Sequence, residues 1–136
     1  MAKKTEAYVD TSALIAFLDR SDSYHSLFVG LFSDPPRILT TSLVIAEGHG
    51  WFLKRYDAFR ALQFMAFIEE LRSLEIVEVG QKQLADATKV LRRFSDQDLT
   101  LADACGLSLM EKRKIRRCWS TDFHLGLTGV PLIIHA

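Results

Sequence analysis

The sequence has no excess of either charge and very little cysteine. Its 136 residues include 17 Lys or Arg and 17 Asp or Glu, so the formal net charge is zero. Overall charge therefore gives no support to nucleic-acid binding, and only a local concentration of basic residues could supply it. The two cysteines, Cys105 and Cys118, do not have the spacing of a metal site. We interpret both as buried, reduced thiols of a cytoplasmic protein.

Long apolar runs are absent as well. No uninterrupted stretch approaches the ~20 residues that a membrane span requires. No basic start followed by an apolar run and a cleavage site indicates a signal peptide. Hydrophobic residues nevertheless make up 49% of the chain and charged residues 25%. This composition allows a packed core, and the length is that of one ordinary domain, so we expect residues 1–136 to form a single domain.

Short β-branched runs alternate with longer helical patterns along the chain. This alternation is typical of an α/β domain with a mostly parallel sheet. In such sheets the active site lies beyond the carboxyl ends of the strands. Five strands are predicted, at Tyr8-Val9, Ile38 to Thr40, Ile76 to Val79, Arg117 to Ser120 and Leu132 to Ile134.

Four acidic residues stand where they could reach one pocket. Asp10 follows the first predicted strand and Asp122 follows the fourth. Glu47 and Asp103 lie on predicted helices between them. Capping or a turn is the ordinary alternative for Asp10 and Asp122, and a capping box that begins at Thr100 is the alternative for Asp103. Clustered carboxylates with no nearby Lys or Arg are unfavourable unless a hard cation binds them, so the pattern favours Mg²⁺ or Mn²⁺ and phosphate chemistry.

Glu47 is the acid that capping does not explain. It follows the apolar residues Leu43 to Ala46, where a carboxylate without a partner is unfavourable. The alternative is an exposed glutamate at the edge of the apolar stripe. Gly48 and Gly50 follow within the predicted helix, although each costs up to ~1 kcal/mol there relative to alanine. They indicate either a kink or a place where another backbone comes close.

The four acids occur in an order and in local contexts that resemble a known family. The segments are YVDTSAL from Tyr8, TSLVIAE from Thr41, DLTLADA from Asp98 and STDFHL from Ser120. Together they resemble the PIN domain, and within it the VapC-type toxin ribonucleases are most similar. The resemblance covers nearly the whole chain. It departs at residues 48–50, where family members more often continue with helix formers.

The resemblance implies a PIN-like three-layer α/β/α fold around a central, mostly parallel sheet of five strands. It also implies divalent-metal-dependent hydrolysis of RNA phosphodiester bonds. We expect three of the acids to bind Mg²⁺ or Mn²⁺ and Glu47 to bind it or to orient the attacking water, because Mg²⁺ prefers oxygen ligands. The family's acidic pocket maps onto Asp10, Glu47, Asp103 and Asp122, with Asp10, Asp103 and Asp122 as metal ligands, and its supporting hydroxyls map onto Ser12 and Thr121.

The resemblance further implies the toxin of a type II toxin–antitoxin pair, whose partner is a small antitoxin protein. We also expect a homodimer. Two alternatives stay open at this point. A free-standing RNA-processing PIN nuclease would have the same sequence features, and a non-cleaving PIN-like module that binds RNA or protein would be expected to lack one of the acids.

An RNA substrate also requires a positive surface beside the acids. The densest basic run could hold phosphates, or it could be a solvated helix end, where cations are favoured. Lys54-Arg55 is a second candidate. Trp51, Phe52 and the stripe from Phe59 to Leu71 could stack bases or bind a partner, but their helical spacing favours core or dimer packing. The basic run consists of Lys112, Arg113, Lys114, Arg116 and Arg117.

Overall fold

A parallel sheet forms the centre of the protein, whose computed structural model describes residues 4–135. Tyr8 pairs with Leu39 on one side and with Cys118 on the other. The expected α/β fold is confirmed, although the sheet has four strands rather than five. The strands lie in the order β3-β2-β1-β4 and are β1 (Ala7–Val9), β2 (Ile38–Thr41), β3 (Leu74–Val77) and β4 (Cys118–Trp119).

The predicted fifth strand is reduced to a single bridge. Leu132 pairs in parallel with Cys118, after which the chain forms a short 3-10 helix at Ile133–His135. Leu132 is buried, whereas Ile133 and Ile134 are only partly buried. The apolar character of this segment is therefore not sufficient to make it a strand.

Six helices flank the sheet in two groups. Helices α1 to α4 pack on one another, and α5 packs on α6. Within residues 4–135, no helix is long and apolar enough to cross a membrane. The helices are α1 (Thr11–Leu18), α2 (His25–Ser33), α3 (Ser42–Arg55), α4 (Ala58–Glu70), α5 (Gln81–Arg93) and α6 (Leu101–Arg113).

The strand order reverses next to β1, and this reversal creates a crevice. The chain leaves β1 towards β2 and β3 on one side and later returns to add β4 on the other. Ligands of open parallel sheets bind beyond the carboxyl ends of the strands at such a switch point. The Asp10 N–H donates to the Trp119 carbonyl at 3.0 Å, which extends the pairing of β1 and β4 to the edge of this crevice.

Helix α6 is buried on all sides, which is the pattern of a helix in the centre of a domain. Every residue from Ala102 to Met110 is buried. Gly106 lies so close to Tyr8 that a β-carbon added to it would stand 2.7 Å from the tyrosine ring. This close approach sets the position of α6 against β1, and with it the position of Asp103 in the first turn of α6.

The apolar stripe of α4 divides between the core and the surface. Phe64 and Ile68 are buried, whereas Phe59 and Leu62 are 66% and 65% exposed. Gly48 of α3 is where the two helices meet most closely. A β-carbon there would lie 2.3 Å from Cζ of Phe64. The close neighbour of Gly48 is therefore an aromatic side chain and not the backbone that the sequence indicated as one alternative.

Gly48 and Gly50 provide a matched pair of variants. We expect Gly48→Ala to destabilise the protein by about 1–3 kcal/mol, since the fully buried Phe64 ring has little room to move. Gly50 has no atom within 4 Å of an added β-carbon. Gly50→Ala should therefore stabilise α3 by up to about 1 kcal/mol. The free energy of unfolding in urea measures both, and equal effects would contradict the packing role of Gly48.

Candidate active site

The four acids of the sequence prediction line one cavity at the carboxyl ends of β1 and β4. The volume of this cavity, which we call the acidic cavity, is about 760 Å³. The acids reach it from four different parts of the fold, namely the end of β1, the middle of α3, the start of α6 and the loop after β4. The residues that the structure brings together here are Asp10, Glu47, Asp103 and Asp122.

Asp10 is held by two serine hydroxyls. Its Oδ2 accepts hydrogen bonds from Ser12 Oγ at 2.9 Å and from Ser120 Oγ at 3.0 Å. Ser12 has the supporting role that was expected, whereas Ser120 was missed. The signal for Ser120 lies in the strand register, because the pairing of Val9 with Trp119 puts the next residues, Asp10 and Ser120, side by side.

Thr121 takes part through its backbone and not through its hydroxyl. Its N–H donates to Ser12 Oγ at 3.0 Å. Among residues 4–135, no hydrogen bond joins the Thr121 hydroxyl to an acid of the cavity. The resemblance therefore pointed to the correct loop, but the supporting hydroxyl on this strand end belongs to Ser120.

Glu47 has the partner that its apolar neighbours call for. Its Oε1 accepts a hydrogen bond from Thr11 Oγ1 at 2.7 Å. The carboxylate is not embedded among apolar side chains, however. Glu47 is exposed to solvent within the acidic cavity, because α3 turns the apolar residues Val44 and Gly48 inwards and Glu47 outwards.

Asp103 and Asp122 are fixed by local hydrogen bonds. Oδ2 of Asp103 accepts the Thr100 N–H at 3.2 Å, so the predicted capping box is present beside the acidic cavity. Oδ1 of Asp122 accepts the His124 N–H at 3.0 Å and lies 2.8 Å from Nδ1 of the same histidine. Ligand atoms of Asp103, Asp122 and His124 all lie within 4.8 Å of one another. The capping and metal-site readings of Asp103 are therefore compatible.

The four carboxylates share one feature of hydrogen bonding. In each, the bonds just described converge on a single oxygen, which is Oδ2 in Asp10 and Asp103, Oδ1 in Asp122 and Oε1 in Glu47. These hydrogen bonds fix the orientation of each carboxylate, as such contacts do for the ligands of metal sites.

Proximity and burial disfavour the ionised acids in the metal-free site. Burial raises the pKa of Asp10 to about 6 from 3.8, against the opposing effect of the Ser12 hydroxyl and with a further increase from the charge of Asp103. Burial also raises the pKa of Asp103, and Asp122 adds to this shift. Partial desolvation, with the charges of Asp103 and Asp122, raises the pKa of Glu47. A bound cation would favour the ionised form of all these groups.

The predicted basic run lies away from the acidic cavity. None of its five cations lines that cavity. Lys112 forms an ion pair with Asp86, and Arg113 lies 3.2 Å from a carboxylate oxygen of Glu75. The cations that do line the cavity are Lys54 and Arg55, next to Trp51.

Fold and site together define an α/β protein with an acidic pocket at the switch point of a parallel sheet. The family model of the PIN domain matches residues 7–126. The chain belongs to the PIN domain family, and the resemblance seen in the sequence is confirmed. No curated protein matches the sequence.

Solved structures of toxins share this fold. The sarcin–ricin-loop-cleaving toxin VapC20 of Mycobacterium tuberculosis superposes with a TM-score of 0.83 at 21% identity, over 93% of this chain and 97% of that one. A toxin–antitoxin complex from Klebsiella pneumoniae superposes with a TM-score of 0.63 at 19% identity, over 94% of this chain and 96% of that one. VapBC2 of Rickettsia felis, bound to a fragment of promoter DNA, superposes with a TM-score of 0.62 at 12% identity, over 94% of this chain and 97% of that one. At such identities the likeness shows the fold.

Asp10→Asn should stabilise the metal-free protein at neutral pH. Because the folded-state pKa of about 6 exceeds the ordinary value of 3.8, the folded protein holds this proton more tightly than the unfolded chain does. Protonation of Asp10 therefore stabilises the folded protein. This stabilisation is fully present below pH 3.8 and is lost as the pH rises through about 6. Its loss amounts to roughly 3 kcal/mol.

Thermal unfolding in EDTA across this pH range measures the effect. The melting temperature of the wild type should fall as the pH rises from about 4 to about 6. The fall in melting temperature should be smaller in Asp10→Asn. The part that remains comes from Glu47 and Asp103, whose pKa values are also raised. The exposed Asp96, which is not in the cavity lining, offers a matched control, since Asp96→Asn should leave the fall unchanged. A wild-type profile that is flat over this range would show that Asp10 is not destabilised.

Proposed function

We propose that this protein is a divalent-metal-dependent ribonuclease that hydrolyses RNA phosphodiester bonds. The observation that carries the proposal is the acidic cavity, where four carboxylates from four parts of the fold converge. Membership of the PIN domain family supports it. A module that only binds RNA or protein would have no use for four acids gathered in one cavity, where burial raises the pKa of Asp10, Glu47 and Asp103. We therefore place the non-cleaving alternative second.

The chemistry of the donor set fits Mg²⁺ or Mn²⁺. The carboxylates of Asp10, Asp103 and Asp122 line the cavity, and hard divalent cations prefer such oxygen ligands. We propose these three residues as the ligands. A bound cation of this kind would offset the charge of the phosphodiester and favour the ionised form of an attacking water.

The chain's own residues supply positioning. The Thr11 hydroxyl holds Oε1 of Glu47, so Oε2 is free to accept a hydrogen bond from the attacking water and to orient it. Ser12 and Ser120 fix the plane of the Asp10 carboxylate. The structure thus separates two tasks, with Glu47 exposed towards water and Asp10 buried at the base of the cavity. Fixed geometry of this kind lowers the entropic part of the barrier.

Conservative variants test the activity. Purified protein should cleave RNA in Mg²⁺ or Mn²⁺ and should stop when EDTA is added. Asp103→Asn should lower the rate at least ~100-fold, because several kcal/mol of charge stabilisation are lost, while circular dichroism should show an intact fold. Asp96→Asn provides the matched control with full activity. Undiminished cleavage by Asp103→Asn, or cleavage that persists in EDTA, would rule out the mechanism.

We further propose that the protein is the toxin of a type II pair and acts in the cytoplasm with a small antitoxin. The toxin–antitoxin complexes of the same fold support this, and both cysteines are free and buried, as expected of a reduced protein. A free-standing RNA-processing nuclease is the alternative. A short reading frame beside the gene whose product co-purifies with this chain and inhibits cleavage would favour the toxin, and absence of such a product would favour the alternative.

A homodimer also remains our proposal. Exposed apolar side chains on α3 and α4, at Leu53, Phe59 and Leu62, offer a surface for a second copy or for the antitoxin. Light scattering of the isolated protein tests the homodimer. A mass of two chains would support it, whereas the mass of one chain would leave the antitoxin as the occupant of this surface.

A further inference from the structure

We propose that Lys54 and Arg55 of α3, and not the basic run before β4, bind the phosphate backbone of the RNA next to the bond that is cleaved. This inference rests on the proposed ribonuclease function and adds the path of the substrate. One acid, Glu47, and two cations, Lys54 and Arg55, line the acidic cavity along one helix and define that path.

The position of Lys54 follows from helix periodicity. Glu47 and Lys54 are seven residues apart, which is two turns of α3, so both side chains lie on the same face. At 1.5 Å per residue the separation along the helix axis is about 10 Å. Gly50 and Trp51 lie between them, and all four residues line the acidic cavity. Since a β-carbon at Gly50 would meet nothing, the glycine leaves an open hollow from the acid to the cation.

The two cations are also available to bind an anion. Neither forms an ion pair with a carboxylate in the part of the chain that the structure describes. Arg55 lies 5.8 Å from the centroid of the Tyr56 ring, and its charge helps to lower the pKa of Asp19, but it donates no hydrogen bond to that acid. Lys112 and Arg113, by contrast, are already paired with Asp86 and Glu75.

Lys54 and Arg55 offset the repulsion between the negative charge of the acids and that of the RNA. The four carboxylates repel an incoming polyanion wherever the metal does not offset them. Two free cations on the wall of the same cavity attract the neighbouring phosphates and hold the strand while the scissile phosphate faces the acids. Trp51 stands at the same wall and offers an aromatic surface to a base.

Binding of RNA, measured apart from cleavage, tests the assignment. A short fluorescent single-stranded RNA of mixed sequence is titrated with Asp10→Asn protein in Mg²⁺, by anisotropy over a range of salt concentrations. Adding Lys54→Gln and Arg55→Gln should weaken binding at least roughly tenfold at about 0.1 M salt. It should also reduce the slope of log K against log salt by about 1.4, which is 0.7 for each phosphate contact.

Two charge-matched double variants serve as comparisons. Lys89→Gln with Arg92→Gln alters exposed residues of α5 that do not line the acidic cavity, and should change neither affinity nor slope. Arg116→Gln with Arg117→Gln tests the rival surface. An equal loss in all three double variants, a loss confined to the pair at 116 and 117, or no measurable binding by the parent would overturn the proposal. If wild-type protein cleaves no RNA but the expected slope change occurs, the ribonuclease function fails while the binding surface stands.

Discussion

The burial of carboxylates close to one another at one edge of the sheet is the constraint on which this site depends. Asp10 is buried and close enough to Asp103 for burial and charge together to raise its pKa to about 6. Such an arrangement is unfavourable in the isolated fold and persists only because the surrounding structure holds it. A divalent cation, if bound as we propose, would relieve this unfavourable energy by favouring the ionised carboxylates. The proposed site would then combine low stability without the cation and affinity for it.

The scaffold meets this constraint through three separate contacts. Parallel pairing of β1 with β4 places Asp10 beside Ser120, whose hydroxyl stabilises the acid. The close approach of Gly106 to Tyr8 positions α6 and therefore Asp103. The contact between Gly48 and Phe64 seats α3 against α4, which turns Glu47 and the cations beyond it towards the cavity. Each contact depends on a small residue or a hydroxyl, and none depends on the acids themselves.

Much of the fold and the site was predictable from sequence because it follows from short-range patterns. The apolar strand before Asp10 and the capping box that begins at Thr100 depend on residues close together in the chain, and the structure shows both where they were expected. Leu132 to Ile134 failed as a strand because sheet extension needs a partner edge, which only Leu132 finds. The sequence left open whether Glu47 is embedded or exposed, since the apolar residues around it define a stripe but not the angle at which α3 meets the sheet, and the structure shows it exposed.

The sequence by itself determined which acids could act together, because their order and local context are those of the PIN domain family. Only the tertiary structure decided which groups support them. Ser120, and not Thr121, donates its hydroxyl to Asp10, because the pairing of β1 with β4 places Ser120 beside that acid. This pairing joins residues more than a hundred positions apart in the chain. The cations beside the acids are Lys54 and Arg55 and not those of the densest basic run, none of which lines the acidic cavity and two of which pair with acids on α5 and β3. Charge density is a property of the sequence, but whether a charge is free depends on what the fold places beside it.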